Sequence, residues 1–111
     1  QAEAQFKQGK LGDAATSINA LRDRANATPA TAADITLDYI LDERVRELVG
    51  EENRRMTLMR TKTLVQRALR LNSDSPRNPL TGIANKHLLL PIPLTEIQLN
   101  KDAVISQNPD Y

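Results

Sequence analysis

The residues best placed for chemistry form a ladder of charges: Glu43-Arg44, Glu47, Glu51-Glu52 and Arg54-Arg55. On a helix, Glu47 and Glu51 are one turn apart, as are Glu51 and Arg55, and Arg44 lies three residues before Glu47. Two carboxylates on one face can divide the roles of general acid and general base. Here each carboxylate has an arginine about one turn away, and a neighbouring cation favours the charged form over a proton donor. On the helical wheel Glu52 and Arg55 fall inside the apolar stripe, and Arg44 and Glu51 border it. Charges are tolerated there when they are paired and hydrogen-bonded. The ladder of Glu43, Arg44, Glu47, Glu51, Glu52, Arg54 and Arg55 therefore reads as a structural ion network, not a catalytic pair.

Other chemistries find less support. Arg54, Arg55, Arg60, Lys62, Arg67 and Arg70 are six cations with no acid between them, a pattern that can meet phosphates. They spread around most of the wheel, no aromatic interleaves them to stack bases, and the glutamates just upstream offset their charge. Solvated or internally paired arginines are the expectation, with no nucleic-acid partner. His87 is the single histidine and has no second ligand-type residue at metal-binding spacing. With no cysteine there is neither a thiol nucleophile nor a Cys-based zinc site. Gly9-Lys10-Leu11-Gly12 is too short for a phosphate-binding loop and follows no strand. No catalytic residue, metal or cofactor is expected.

The chain around these residues has 111 amino acids and a net charge of +1. That length favours one domain, and the near-neutral balance argues against gross attraction to nucleic acid or anionic lipid. No run approaches the ~18 apolar residues of a membrane span. Only three aromatics are present, Phe6, Tyr39 and Tyr111, few for a free-standing core of this size. The sequence also opens at Gln1 with no initiator Met, apolar leader or lipid-attachment Cys. The expectation is the end portion of a longer protein.

Five of the six prolines lie beyond residue 72. Proline lacks an amide proton and clashes with a preceding helical turn, so long helices must stop before Pro76. The expected fold is all-α: a helical part over residues 1–72, then an irregular tail over 73–111 that packs on the helices. Glu3 to Gln8 closes one helix, broken by Gly9 and Gly12. Asp13 caps the next, whose stripe is Ala14, Ile18, Leu21 and Ala25. Residues 26–33 form a loop around Pro29. Thr36 caps a long helix over about 36–60, with Leu37, Ile40, Leu41, Val45, Leu48 and Met59 on one side. Leu64, Val65, Ala68, Leu69 and Leu71 point half a turn away. A break at residues 60–63 and a short helix over about 63–72 resolve that conflict. Beyond a turn-rich loop from Ser73 to Pro79, the alternating prolines of His87-Leu88-Leu89-Leu90-Pro91-Ile92-Pro93 force an extended backbone. Its leucines are expected to seek burial on the helices. Thr95 to Leu99 can make one helical turn.

Phe6, Gly9 and Ala14 resemble the inter-helix turn of a tetratricopeptide repeat, which gives a hairpin over residues 1–25. Two longer stretches resemble the carboxyl-terminal part of the SusD/RagB family. Leu41-Asp42-Glu43-Arg44-Val45-Arg46-Glu47-Leu48, with Glu51, Arg54, Leu58 and Arg60, is similar to that family's ERxxEL…E..R…L.R helix. Lys86-His87-Leu88-Leu89-Leu90-Pro91-Ile92-Pro93, Glu96-Ile97, Asn100 and Gln107-Asn108-Pro109-Asp110-Tyr111 are similar to its closing PIP…EI…N…QNPGY. Glu52 and Asp110 stand where the family has Gly, Arg55 where an aromatic is common, and Thr57 in place of a frequent Asp.

The resemblance implies a binder and not an enzyme. Members of the family are surface-exposed outer-membrane lipoproteins of Bacteroidetes, tethered by a lipidated N-terminal Cys that would lie outside this chain. They lid a SusC-like TonB-dependent transporter and capture oligosaccharides or, in some members, peptides. Because the chain has so few aromatics, upstream sequence is expected to supply most of the ligand site, and no ligand contact carries over to a residue here. The chain's own part is expected to be scaffolding at the C-terminal side of a larger domain. The alternative is a tetratricopeptide-type module that binds a protein or peptide. On the network reading, Arg44→Ala or Glu51→Ala removes one member of a buried pair, which costs about 3–5 kcal/mol and lowers the melting temperature.

Overall fold

The computed structural model describes residues 1–72 and 82–111. The fold is all-α, and no strand occurs among the described residues. Two compact units, Gln1–Glu52 and Asn53–Tyr111, divide the chain. This boundary differs from the one the composition suggested near residue 72. Prolines mark where long helices stop, whereas a unit is set by which segments bury apolar surface together.

In the first unit, α1 (Ala2–Lys7) and α2 (Leu11–Arg24) form a tight hairpin. Its turn needs a left-handed residue, supplied by Gly9 at φ +75, a conformation that glycine adopts without a Cβ penalty. The Gly9 N–H donates to the Phe6 carbonyl and the Lys10 N–H to that of Gln5, both at 2.9 Å. With the turn closed so early, α2 starts at Leu11. Asp13 therefore sits inside its first turn instead of capping it, still favourably placed against the helix dipole. The buried Ala14 and Ala15 keep this face of α2 small. The Ser17 hydroxyl then reaches back to Gln5 Oε1 at 2.7 Å.

Ile18 of α2 joins Ala30, Ile35 and Ile40 in the same core, with Ala2, Phe6 and Tyr39 packed against it. The intervening loop is irregular yet anchored. Ala30 donates its N–H to Asn19 Oδ1 at 2.7 Å, and Asn19 Nδ2 donates to the Ala30 carbonyl at 2.9 Å. A 3-10 turn at Ala32–Asp34 follows, fixed by the Thr31 hydroxyl and N–H, which donate to Asp34 Oδ2 at 2.6 and 2.7 Å. Then α3 (Leu37–Glu47) begins where the sequence placed its cap: the Tyr39 N–H donates to Thr36 Oγ1 at 3.0 Å.

The expected long helix over 36–60 is two helices. The first ends at Glu47, and Gly50 at φ +80 turns the chain out of helical geometry. Asn53 then caps α4 (Arg54–Arg60) by accepting from the Met56 N–H at 3.4 Å. Interior glycine disfavours a helix by about 1 kcal/mol, and asparagine prefers a cap; together they outweigh the favourable charge spacing across residues 43–55. The apolar stripe is interrupted accordingly. Leu41 is fully buried, while Val45 is 40% exposed.

In the second unit the expected break at residues 60–63 is present: Lys62 is left-handed at φ +58, and α5 (Leu64–Leu71) starts after Thr63. Thr61 Oγ1 donates to the Thr57 carbonyl at 2.9 Å and lies 2.8 Å from Thr63 Oγ1. Thr57, Leu58, Thr63, Arg67 and Ala68 are buried, but Leu69 and Leu71 are more than half exposed. The apolar set read on α5 is thus only partly used within this unit. A 3-10 turn at Asn85–Leu88 packs on α4 and α5. The loop from Ser73 to Pro79 lies outside the described residues. Leu89 and Leu90 remain about half exposed, in contrast to the expected burial, and α6 (Leu94–Leu99) follows.

Thr36→Ala is expected to destabilise the protein by about 1 kcal/mol, with Thr36→Ser largely restoring stability in thermal melts. Hydrogen bonds from the Thr31 hydroxyl, and next from its N–H, hold the Asp34 carboxyl below its ordinary value. A depressed folded-state pKa means that this stabilisation is full above about pH 4 and fades as pH falls through the lowered value. Asp34→Asn should remove that acid-side dependence from a pH series of melts.

Candidate functional site

Two acids of α3, Glu43 and Glu47, are paired with arginines of the neighbouring helix α2. Glu43 Oε2 accepts from Arg22 Nη1 of α2 at 2.7 Å and from Arg46 Nη1 at 2.8 Å. The Arg22 and Glu43 side chains are 16% and 12% exposed. Arg22 also donates from Nε to the Thr28 carbonyl, and its guanidinium lies 5.9 Å from the centroid of the Tyr39 ring. One side chain thus joins α2, the loop after it and α3. Arg24 pairs with Glu47 nearer the surface, and Arg44 with Glu52.

This arrangement departs from the ladder read in the sequence. Glu43, Glu47, Arg44 and Glu52 are all ion-paired, but not with the partners that turn spacing implied. Glu51 is exposed and in no ion pair among the described residues, which removes the basis for a large effect of Glu51→Ala. Arg54 and Arg55 belong to the second unit. The residues that the sequence reading missed are Arg22 and Arg24. A signal was present: α2 ends in basic residues, which favour a helix C-terminus and give the acids of α3 a second set of partners.

Each unit has an open cleft. In the first, about 460 Å³ is lined by Ile18, Leu21, Ile40 and Leu48, with Glu43 and Glu47 among the polar groups. In the second, about 440 Å³ is lined by Arg54, Arg55, Leu58, Leu64, Ile83 and His87. His87 Nδ1 lies 2.9 Å from the Ala84 N and 3.1 Å from the Ala84 carbonyl oxygen, so the ring is held against the start of its own turn. No group of three potential metal ligands occurs among the described residues. Glu43 and Glu47 of α3 are each paired with a guanidinium group of α2, which ties the two helices together.

Recognition of sugar rings by stacking needs an aromatic face. Phe6 and Tyr39 pack against the first core. Tyr111 donates its hydroxyl to the Leu89 carbonyl at 3.1 Å and carries Lys86 Nζ 5.5 Å from its ring centroid. All three aromatics are therefore in structural use. Among the described residues no helix is long and apolar enough to cross a membrane.

Comparison with known proteins adds identity to this geometry. A family model described as the SusD family matches residues 1–111. The starch-binding protein SusD of Bacteroides thetaiotaomicron is 34% identical over 111 residues, covering all of this chain and 19% of that protein. The chain thus spans about a fifth of the length of this curated relative. No solved structure matches.

The ion pairs should rank by burial in thermal melts. Glu43→Ala strips two guanidinium groups of their shared carboxylate and is expected to destabilise by about 3 kcal/mol. Glu47→Ala, at a more exposed pair, should cost about 0–1 kcal/mol, and Glu51→Ala should leave the transition unchanged.

Proposed function

This chain belongs to the SusD family, and from that premise we propose that it is a scaffold portion of a cell-surface nutrient-binding protein. The ligand class is a glycan, as the name of the starch-binding relative suggests, and the capturing side chains lie mostly in other parts of the polypeptide. The protein binds and hands over its ligand without transforming it. Its partner is a SusC-like TonB-dependent transporter in the outer membrane, and a lipid anchor outside this chain holds it at the surface.

The observation that carries this reading is the fate of the ladder. A stretch that aligns charged residues as an active site would is occupied in holding helices together, with Glu43 bridging Arg22 and Arg46. The employment of all three aromatics in packing or tail contacts points the same way. The family match over the whole chain and the name of the starch-binding relative support a glycan as the ligand class.

Affinity electrophoresis of the whole protein through gels containing starch and other polysaccharides tests the proposal. Retardation by at least one glycan, with no shortening of that glycan on incubation, is the expected result. Glu43→Gln should lower the melting temperature while leaving retardation intact. Lack of retardation by every polysaccharide, together with retention on a peptide matrix, would instead favour the tetratricopeptide-type module. Circular dichroism of the isolated 111 residues separates the two further: a peptide-binding module folds alone, whereas a scaffold portion loses helix content.

A further inference from the structure

The chain leaves the 3-10 turn with extended backbone at Leu89 and runs to α6 through Pro91 and Pro93, which have no N–H to offer. Between them, Ile92 is paired at both backbone groups by one side chain. Its N–H donates to Gln107 Oε1 at 2.8 Å, and Gln107 Nε2 donates to its carbonyl at 2.9 Å. A carboxamide presents a donor and an acceptor side by side, as a peptide group does. Gln107 thereby stands in for a partner strand. The Asn108 N–H donates to the same Oε1 at 2.8 Å and helps fix the amide's orientation.

The next residues extend the contact towards the start of the segment. Asn108 Nδ2 donates to the Leu90 carbonyl at 2.6 Å, and the Tyr111 hydroxyl to that of Leu89. Asp110 adopts the left-handed region at φ +66, which Asp tolerates better than most residues. Its carbonyl accepts from Lys86 Nζ at 3.4 Å, and the same ammonium faces the Tyr111 ring. Lys86 sits in the 3-10 turn of Asn85–Leu88, beside His87, which lines the cleft with Arg54 and Arg55.

Little apolar burial accompanies these contacts. Leu89 and Leu90 are half exposed, Leu94 and Leu99 more so, and none of the residues from 82 to 111 is buried. Polar bonds therefore hold the segment, and segments with few buried apolar contacts open locally before the whole fold does.

We propose that residues 107–111 form a latch that holds residues 89–93 extended and, through Lys86, sets the turn that carries His87 to the cleft. The latch opens as one step, releasing the segment while the rest of the unit stays folded. Hydrogen–deuterium exchange of the whole protein, read on peptides covering residues 88–94, tests it. Gln107→Ala removes both bonds to Ile92 and should speed exchange of that amide about tenfold or more. Gln107→Glu keeps an acceptor for the Ile92 N–H but has no donor for its carbonyl at neutral pH, and should fall between wild type and Ala. Peptides from α4 and α5 should exchange as in the wild type. Unchanged exchange at residues 88–94 in both variants would overturn the latch. So would an equal acceleration in α4 and α5, which would mean that the unit opens as a whole.

Discussion

The first unit depends on the guanidinium of Arg22. It is nearly buried, so leaving it without partners would carry the penalty of a desolvated charge. The Glu43 carboxylate, the Thr28 carbonyl and the face of Tyr39 meet it from three directions. That requirement fixes α3 against α2 and draws the connecting loop over both. The apolar core of small residues, isoleucines and Phe6 is modest. Apolar contact alone is non-directional, whereas a planar, five-donor group specifies position. The same engagement explains why acids spaced like catalytic residues are spent on architecture.

A second constraint governs what lies between the helices. Much of the described chain is neither helix nor strand, and a backbone group withdrawn from water still needs a partner. Two carboxamides meet this need in the same way. Asn19 pairs with both backbone groups of Ala30, and Gln107 with both of Ile92. In each case the paired residue is in irregular backbone next to or between prolines, where a regular ladder cannot form. Side-chain amides thus perform locally what strands do in other folds, and an all-α chain keeps its long connections in place without a sheet.

These devices suit the scaffold role proposed for this chain. Exposed Val49 in the first unit, and Leu69, Leu71, Leu94 and Leu99 in the second, show that each unit stops short of burying its own apolar residues. Under the proposed function, capture depends on how rigidly such a framework holds its neighbouring segments.

Helix composition, the Thr36 cap, the break before α5 and the extended run around Pro91 and Pro93 were legible in the sequence. All of them follow from local rules: side-chain capping, apolar periodicity and the missing proline N–H. The closing motifs also carried the family resemblance that the match over the whole chain bears out. The interruption after Glu47 was written locally too, in Gly50 and Asn53, but was masked by charge spacing equally consistent with one helix. What the sequence could not reveal were the partners. Glu43 binds Arg22, 21 residues away, and Gln107 binds Ile92 across 15. Turn periodicity predicts neighbours only along one element. Which acid meets which base, and which amide meets which peptide group, was decided when tertiary packing brought distant segments together and polar groups withdrawn from water had to find partners there.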